Sequence, residues 1–141
     1  MQTRADTTRI DIALAVLRAI VGIVFIAHGA QKLFVFGLDG VIGGFTQMGA
    51  PLPQITAPLV ALVEFFGGLA LVAGLFTRLA AVGLAFVMLG AILLVHLAAG
   101  FFAPNGVVFA LTLAAASAAL AIAGAGRFSL DHTIAARRAA R

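Results

Sequence analysis

The sequence predicts an all-α membrane protein, a four-transmembrane up-and-down helix bundle with both termini in the cytoplasm. Hydrophobic residues make up 63% of its 141 residues and the mean hydropathy is +1.18, far above the values of soluble domains. Four apolar stretches are long enough to cross a bilayer, and the basic residues lie beside particular ends of these stretches. We therefore expect residues 1–141 to form one membrane domain.

The four predicted spans are residues 12–34, 57–76, 79–99 and 107–124. Each approaches the ~20 residues that a spanning helix requires. The first span follows Arg4 and Arg9, as a signal peptide would, but it is too long and contains Arg18, so we expect it to remain as an anchor. Residues 35–56 form an outer loop, and residues 125–141 form a tail.

The basic residues predict the orientation of the bundle. Arginines precede the first span, occur in the turn at Thr77 and Arg78, and follow the fourth span. The loops at residues 35–56 and 100–106 contain no Lys or Arg. The positive-inside rule therefore places both termini and the Thr77 and Arg78 turn in the cytoplasm.

The turn between the second and third spans is short, with Gly74 near the end of one helix and Thr77 as the predicted N-cap of the next. These two helices must then be antiparallel neighbours. In the tail, Ser129 is the predicted cap of a short interfacial helix whose arginines would contact lipid or a partner protein.

The outer loop contains a second short pattern that is typical of a helix. Val41, Phe45 and Met48 follow helical spacing, and Asp39 precedes them as a predicted cap. Gly49 and Pro51 would end this helix. The pattern predicts a short helix lying in the outer interface.

Charged and polar residues lie at membrane depth in the first span. At about 100° per residue, Arg18, His28 and Lys32 share one face of the helix with Phe25 and Gly29. The neighbouring glutamine, at position 31, lies beyond the edge of that face. The first span therefore carries one polar seam.

The second and third spans carry Glu64 and His96, each in the outer half of the predicted bundle. A carboxylate in hydrocarbon costs about 2.5 kcal/mol or more unless it is protonated or paired, and Arg18 or His28 is the expected partner of Glu64. The candidate quinone or proton site is Arg18, His28, Lys32, Glu64 and His96. Snorkelling of the long side chains to the interfaces, or a purely structural ion pair, remains an alternative.

Composition also excludes several classes of function. The chain has no cysteine, which excludes disulfides, thiol relays and cysteine-ligated clusters. Its formal charge of +4 belongs to residues that flank apolar spans, so we expect no nucleic-acid partner. No metal site and no covalently bound cofactor are predicted, and the catalytic residues stay unassigned.

Six short motifs follow one another along nearly the whole chain. They are Arg18 with Gly22, Phe25 and HGxxKLF (residues 28–34); FxxMGxPxP (45–53); EFxGG (64–68); GLxTRxAA (74–81); Val95 and His96 before GFF (100–102); and GxGRFSLD (124–131). In this order they resemble the DoxX family of small bacterial membrane proteins, which are related to the DoxD subunit of thiosulfate:quinone oxidoreductase.

The resemblance implies a four-helix bundle in the bacterial plasma (inner) membrane. It also implies a subunit of a quinone-linked oxidoreductase, or a partner of redox-protective enzymes at the membrane. The lipid bilayer and other membrane or redox subunits are then the expected partners. Electrons would come from such a partner, since the chain has no electron-carrier motif of its own.

Four functions stay open at this point, and the first is a quinone-linked redox subunit whose polar cluster binds quinone or transfers protons. The second is a non-enzymatic assembly or docking subunit, favoured by the plain, Ala-rich fourth span. A b-type haem between His28 and His96 rests on two histidines alone, so we do not expect one. A channel or transporter is disfavoured because no broken helix or internal repeat is evident.

Overall fold

The computed structural model describes residues 4–102 and 104–141, and in these ranges the protein consists of helices joined by turns and short loops, with no strand in either. The helices are α1 (Arg4–Ala30), α2 (Gly37–Gln47), α3 (Pro53–Ala73), α4 (Thr77–Ala91), α5 (Val108–Ala123) and α6 (Leu130–Ala139). Two π-helical segments, Gln31–Phe36 and Ile92–His96, and a 3-10 turn, Leu97–Ala99, extend α1 and α4. The all-α prediction is confirmed.

Three helices are long and apolar enough to cross a membrane: Arg4–Gln47, which includes α1 and α2, then Pro53–Ala73 and Thr77–Ala99. The fourth apolar helix, α5, is shorter. Large apolar side chains face outward along these helices, for example Ile122 at 80% exposure and Phe86 at 71%. An outward apolar surface of this kind is what lipid contacts.

Glycines set the distance between α1 and α3. A Cβ added to Gly22 would lie 2.7 Å from the carbonyl oxygen of Gly68, and one added to Gly68 would lie 2.7 Å from that of Gly22. About two turns further along α1, a Cβ on Gly29 would lie 2.7 Å from the Cα of Phe65. These are backbone atoms, so the two helices pack at a separation that only glycine allows.

The buried core lies beside this contact, where α1, α3, α4 and α5 meet. It contains Val21, Phe25, Leu71, Ala81, Leu84, Met88, Ala110, Leu113 and Leu120. Lipid is as apolar as these side chains, so close packing, rather than transfer out of water, stabilises the bundle once it is in the membrane.

The turn between α3 and α4 differs from the sequence prediction in one respect. Gly74 ends α3 in the left-handed region, as predicted, with φ of 68°. The prediction that Thr77 caps α4 is wrong. Phe76 is the N-cap residue, and its side chain makes no capping hydrogen bond. Instead the carboxylate of Asp131 accepts hydrogen bonds from the N–H groups of Phe76 and Thr77, at 2.8 and 2.9 Å.

The outer-loop helix is present as α2, directly after the π-helical segment that follows α1, and Gly37 at the junction has a positive φ of 68°. The prediction that Asp39 caps it is wrong, because Phe36 is the N-cap residue and no side-chain hydrogen bond caps the helix. Val41 is buried where α2 packs on α3, and Gly49 lies in the left-handed region just beyond the helix. In the tail, Ser129 caps α6 as predicted, accepting from the N–H of His132 at 3.1 Å.

Candidate functional site

The structure brings two of the five sequence-predicted site residues together. Lys32 Nζ lies 2.5 Å from Glu64 Oε2, and this is the one salt bridge between side chains among residues 4–102 and 104–141. The expectation that Arg18 or His28 pairs with Glu64 is therefore wrong. Glu64 is nearly covered, with 4% of its side chain exposed, whereas 20% of the Lys32 side chain remains exposed.

The close contact between α1 and α3 explains why this pair forms. Gly29 packs directly on the backbone of Phe65, and Glu64 is the residue before that contact. Lys32 follows Gly29 by three residues, which is about one helical turn. Its backbone belongs to the π-helical segment Gln31–Phe36, which is wider than an α-helix, and such segments are frequent at functional sites.

Three aromatic residues lie close in sequence to the ion pair. Phe34 and Phe65 meet edge to face with ring centroids 5.7 Å apart, and Phe65 meets Phe66 in the same way at 5.3 Å. Phe65 follows Glu64 directly, and Phe34 comes two residues after Lys32. The two helices that carry the covered carboxylate and the partly exposed ammonium are therefore also joined by a ring contact.

His28 lies apart from the pair. Its Nδ1 is 2.8 Å from the carbonyl oxygen of Val24, and its ring centroid is 5.7 Å from that of Phe109 on α5. A carbonyl oxygen only accepts, so Nδ1 carries the proton and a neutral His28 has Nε2 as an acceptor. The ring is exposed and lines an open groove of about 470 Å³ together with Gln31, Phe34 and three smaller apolar residues.

His96 does not pair with Glu64 and lies at the end of the π-helical segment that extends α4. Its Nδ1 is 2.8 Å from the carbonyl oxygen of Asn105, so it donates to the loop before α5. No set of three His, Cys, Asp or Glu side chains suited to a metal ion occurs among the residues described. In the structure His96 holds a loop to a helix end.

Arg18 belongs to the opposite end of the bundle. Fourteen residues separate it from Lys32, or about 21 Å along a helix at 1.5 Å per residue. It is 4% exposed, and its guanidinium donates to the carbonyl oxygen of Phe128 at 2.5 Å. A side chain on Gly74 would collide with it, so the guanidinium lies directly on the turn between α3 and α4.

Asp11 is a buried acidic residue that the sequence reasoning missed. It is 7% exposed, and its Oδ1 accepts from the N–H of Arg127 at 3.0 Å. Its position, seven residues before Arg18 on the same helical face, is a signal that could have identified it. With Arg18, Thr77, Arg78 and Asp131, it forms a polar region that we call the terminal end.

Comparisons with known proteins agree with the helical pattern. The DoxX family model matches residues 13–97, which is more than half of the chain. The chain belongs to the DoxX family. No solved structure matches this DoxX protein.

Among curated relatives, the DoxX chain is 36% identical over 121 residues to "Putative oxidoreductase CatD" of Bacillus subtilis, covering 86% of each protein. It is 32% identical over 127 residues to "Inner membrane protein YphA" of Escherichia coli, covering 86% of this chain and 89% of that one. It is also 33% identical over 135 residues to "Uncharacterized membrane protein Rv3486" of Mycobacterium tuberculosis, covering 88% and 82%.

Proposed function

We propose that this DoxX protein is an integral subunit of a quinone-linked redox system and that the Lys32 and Glu64 pair is its quinone or proton site. The observation that carries the proposal is the pair itself, a covered carboxylate beside a partly exposed ammonium. Ionisable groups at membrane depth mark functional sites more often than structural ones. The name of the CatD relative, an oxidoreductase, supports the redox class.

The chemistry of the pair suits a quinone head group. A quinone carbonyl needs a hydrogen-bond donor, which the Lys32 ammonium supplies, and the quinone ring can stack on Phe34 or Phe65. Reduction to the quinol takes up two electrons and two protons. The electrons come from a partner protein with a redox cofactor, and the carboxylate of Glu64 relays protons to the oxygens.

The other candidates act around this pair in the proposal. His28, with Nε2 as an acceptor, would accept a hydrogen bond from a quinol hydroxyl in the adjacent groove. His96 fixes the loop beside the site, and Arg18 fixes the far end of α1. Thus Lys32 and Glu64 are the residues whose replacement should abolish the activity.

The decisive experiment is gentle purification from the native membrane, with analysis of bound quinone, pigment and co-purifying proteins. We expect bound quinone and a redox partner. Glu64→Gln should remove the quinone, whereas Asp39→Asn, an exposed acid on α2, should retain it. A protein that purifies alone, without quinone, would falsify the proposal.

The membrane topology is part of the same proposal: four crossings, with α5 as the fourth, and both termini in the cytoplasm. Arg78 and Arg127, which lie at the same end of the bundle as Asp11, support this orientation through the positive-inside rule. Because the chain has no cysteine, single cysteines can be introduced at Gln47 and at Arg141. An impermeant maleimide applied to intact inner-membrane spheroplasts should label the first and not the second; the reverse pattern excludes this orientation.

A non-enzymatic assembly subunit is the second candidate, and one observation favours it. The outward face of α5 is built largely from small side chains, with Ala115, Ala118 and Ala119 exposed. Small residues allow another helix to approach closely in a membrane. In this case a partner should co-purify without quinone, and Ala118→Phe should release it while Glu64→Gln should not.

A further inference from the structure

The terminal end contains an open groove of about 640 Å³ that the proposed redox site does not use. Its walls are the first turn of α4, the loop at residues 124–129 and the start of α6. Charged side chains of both signs line it, among them Asp11, Arg78 and Arg127. None of these three takes part in a salt bridge among the residues that the structure describes.

Two glycines in the loop let the opposite charges approach the same short piece of backbone. A Cβ on Gly124 would lie 3.1 Å from Nε of Arg78, and a Cβ on Gly126 would lie 3.3 Å from Oδ1 of Asp11. Both glycines have a positive φ, at 86° and 72°, which other residues rarely adopt. The guanidinium and the carboxylate thus flank one glycine loop without touching each other.

Buried polar atoms without partners lie at this groove. Oδ1 of Asp11 accepts a hydrogen bond from the N–H of Arg127. Oδ2 has no hydrogen-bond partner, although Asp11 is only 7% exposed. The hydroxyl of Thr77 is also without a partner, and that residue is fully buried. Buried polar groups are normally hydrogen-bonded, so an unpaired carboxylate oxygen indicates a missing donor.

The carboxylates at this groove do not together form a metal-binding site. Asp131 uses both oxygens on the N–H groups that begin α4, and no group of three suitable ligands occurs in the described ranges. Among the residues that line the groove, one carboxylate oxygen of Asp11 lacks a donor, and Arg78 and Arg127 have no carboxylate in a salt bridge with them. Arginine pairs well with phosphate oxygens, to which its N–H groups donate in parallel.

We infer that this groove binds a phosphoethanolamine group. Its phosphate would be held by Arg78 and Arg127, and its ammonium by Oδ2 of Asp11. Oδ2 lacks a donor, which a primary ammonium can supply, whereas a trimethylated choline has no N–H to donate. Phosphatidylethanolamine of the adjoining leaflet and a free phosphoethanolamine carry the same group.

The test uses the full-length protein in a neutral detergent and measures its binding of short-chain phospholipids by native mass spectrometry. Phosphatidylethanolamine should bind about tenfold more tightly than phosphatidylcholine or phosphatidylglycerol, the size expected for one charge-assisted hydrogen bond. Equal or tighter binding of phosphatidylglycerol would overturn the inference, because arginines alone would then account for the affinity.

Two variants test the two parts of the proposed site separately: the ammonium contact at Asp11 and the phosphate contact at Arg78. Asp11→Asn keeps Oδ1 as the acceptor for Arg127 but replaces the free oxygen by a donor, so it should remove the preference for ethanolamine and leave phosphatidylglycerol binding unchanged. Arg78→Gln should weaken all three lipids. Arg137→Gln, at the same end but outside the groove, should change nothing. A preference that survives in Asp11→Asn, with thermal stability like that of the wild type, sinks the proposal.

A competition arm distinguishes the two sources of the ligand. Free phosphoethanolamine at millimolar concentration should displace the short-chain lipid if the soluble compound is the ligand. If only the lipid binds, the acyl chains contribute and the leaflet is the source. Absence of binding by both compounds overturns the inference.

Discussion

The two polar regions of this protein lie about 21 Å apart along α1 and use their charges differently. At the terminal end, Asp11, Arg18 and Asp131 each bond to backbone groups of another segment. At the other end, Lys32 and Glu64 bond to each other. A side chain that holds the backbone cannot change partners without loosening the fold, whereas a side-chain pair can exchange a proton or admit a ligand.

The difference between the two polar regions depends on the glycine contact that holds α1 against α3. Loss of this contact has the largest expected effect on stability. Gly29→Val places a branched side chain on the backbone of Phe65, which cannot move aside cheaply. We expect a loss of about 3 kcal/mol in the free energy of unfolding, the upper end for overpacking. Gly43→Val, where no atom lies within 4 Å, is the matched control in a detergent unfolding titration.

Breaking the ion pair comes next. Lys32→Met leaves the covered carboxylate of Glu64 without its partner, and we expect a loss of about 2 kcal/mol because Lys32 is itself partly exposed. The double variant Lys32→Met with Glu64→Gln should recover part of that loss, since no unpaired charge remains. If the double variant is less stable than Lys32→Met, the pair is not the source of the effect.

At the terminal end, loss of the Asp131 cap should lower the stability less than loss of the ion pair does. Asp131→Ala removes the acceptor for two N–H groups at the start of α4, and we expect a cost of about 1–2 kcal/mol, as for other helix caps. Asp39→Ala serves as the control. When the Asp131→Ala variant unfolds, limited proteolysis should show the tail becoming accessible before the rest of the chain. A cleavage rate of the tail equal to that of the wild type would contradict this role of the aspartate.

The smallest expected effect concerns His96. His96→Ala removes one partly exposed hydrogen bond to Asn105 and should cost about 0.5–1 kcal/mol. His96→Gln can still donate to that carbonyl and should be closer to the wild type. If instead His96→Gln abolishes quinone binding at normal stability, this histidine belongs to the redox site and not to the loop.

Much of the helical pattern could be predicted from the sequence because it is local. Apolar runs, the left-handed Gly74 and the Ser129 cap depend on neighbouring residues only. Arg18, Phe25 and Gly29, which helical periodicity places on one face, are all buried, whereas His28 on that face is exposed. DoxX membership also follows from motifs that lie in order along the chain.

The partners of the charges could not be predicted in the same way. The choice of Lys32 for Glu64 depends on how closely two glycine faces pack and on a π-helical turn, neither of which a regular 100° periodicity represents. Arg18 reaches a carbonyl 110 residues later, and the cap of α4 comes from a residue 54 positions beyond it. Contacts between distant segments leave no local signal.

The tail that supplies these contacts also affects the order in which the protein matures. The hairpin of α3 and α4 can enter the membrane while synthesis continues, but its turn stays incomplete until residue 131 has been made. Arg18 likewise waits for Phe128. During biogenesis Asp11 and Arg18 therefore lack these backbone partners until residues 127 and 128 have been synthesised.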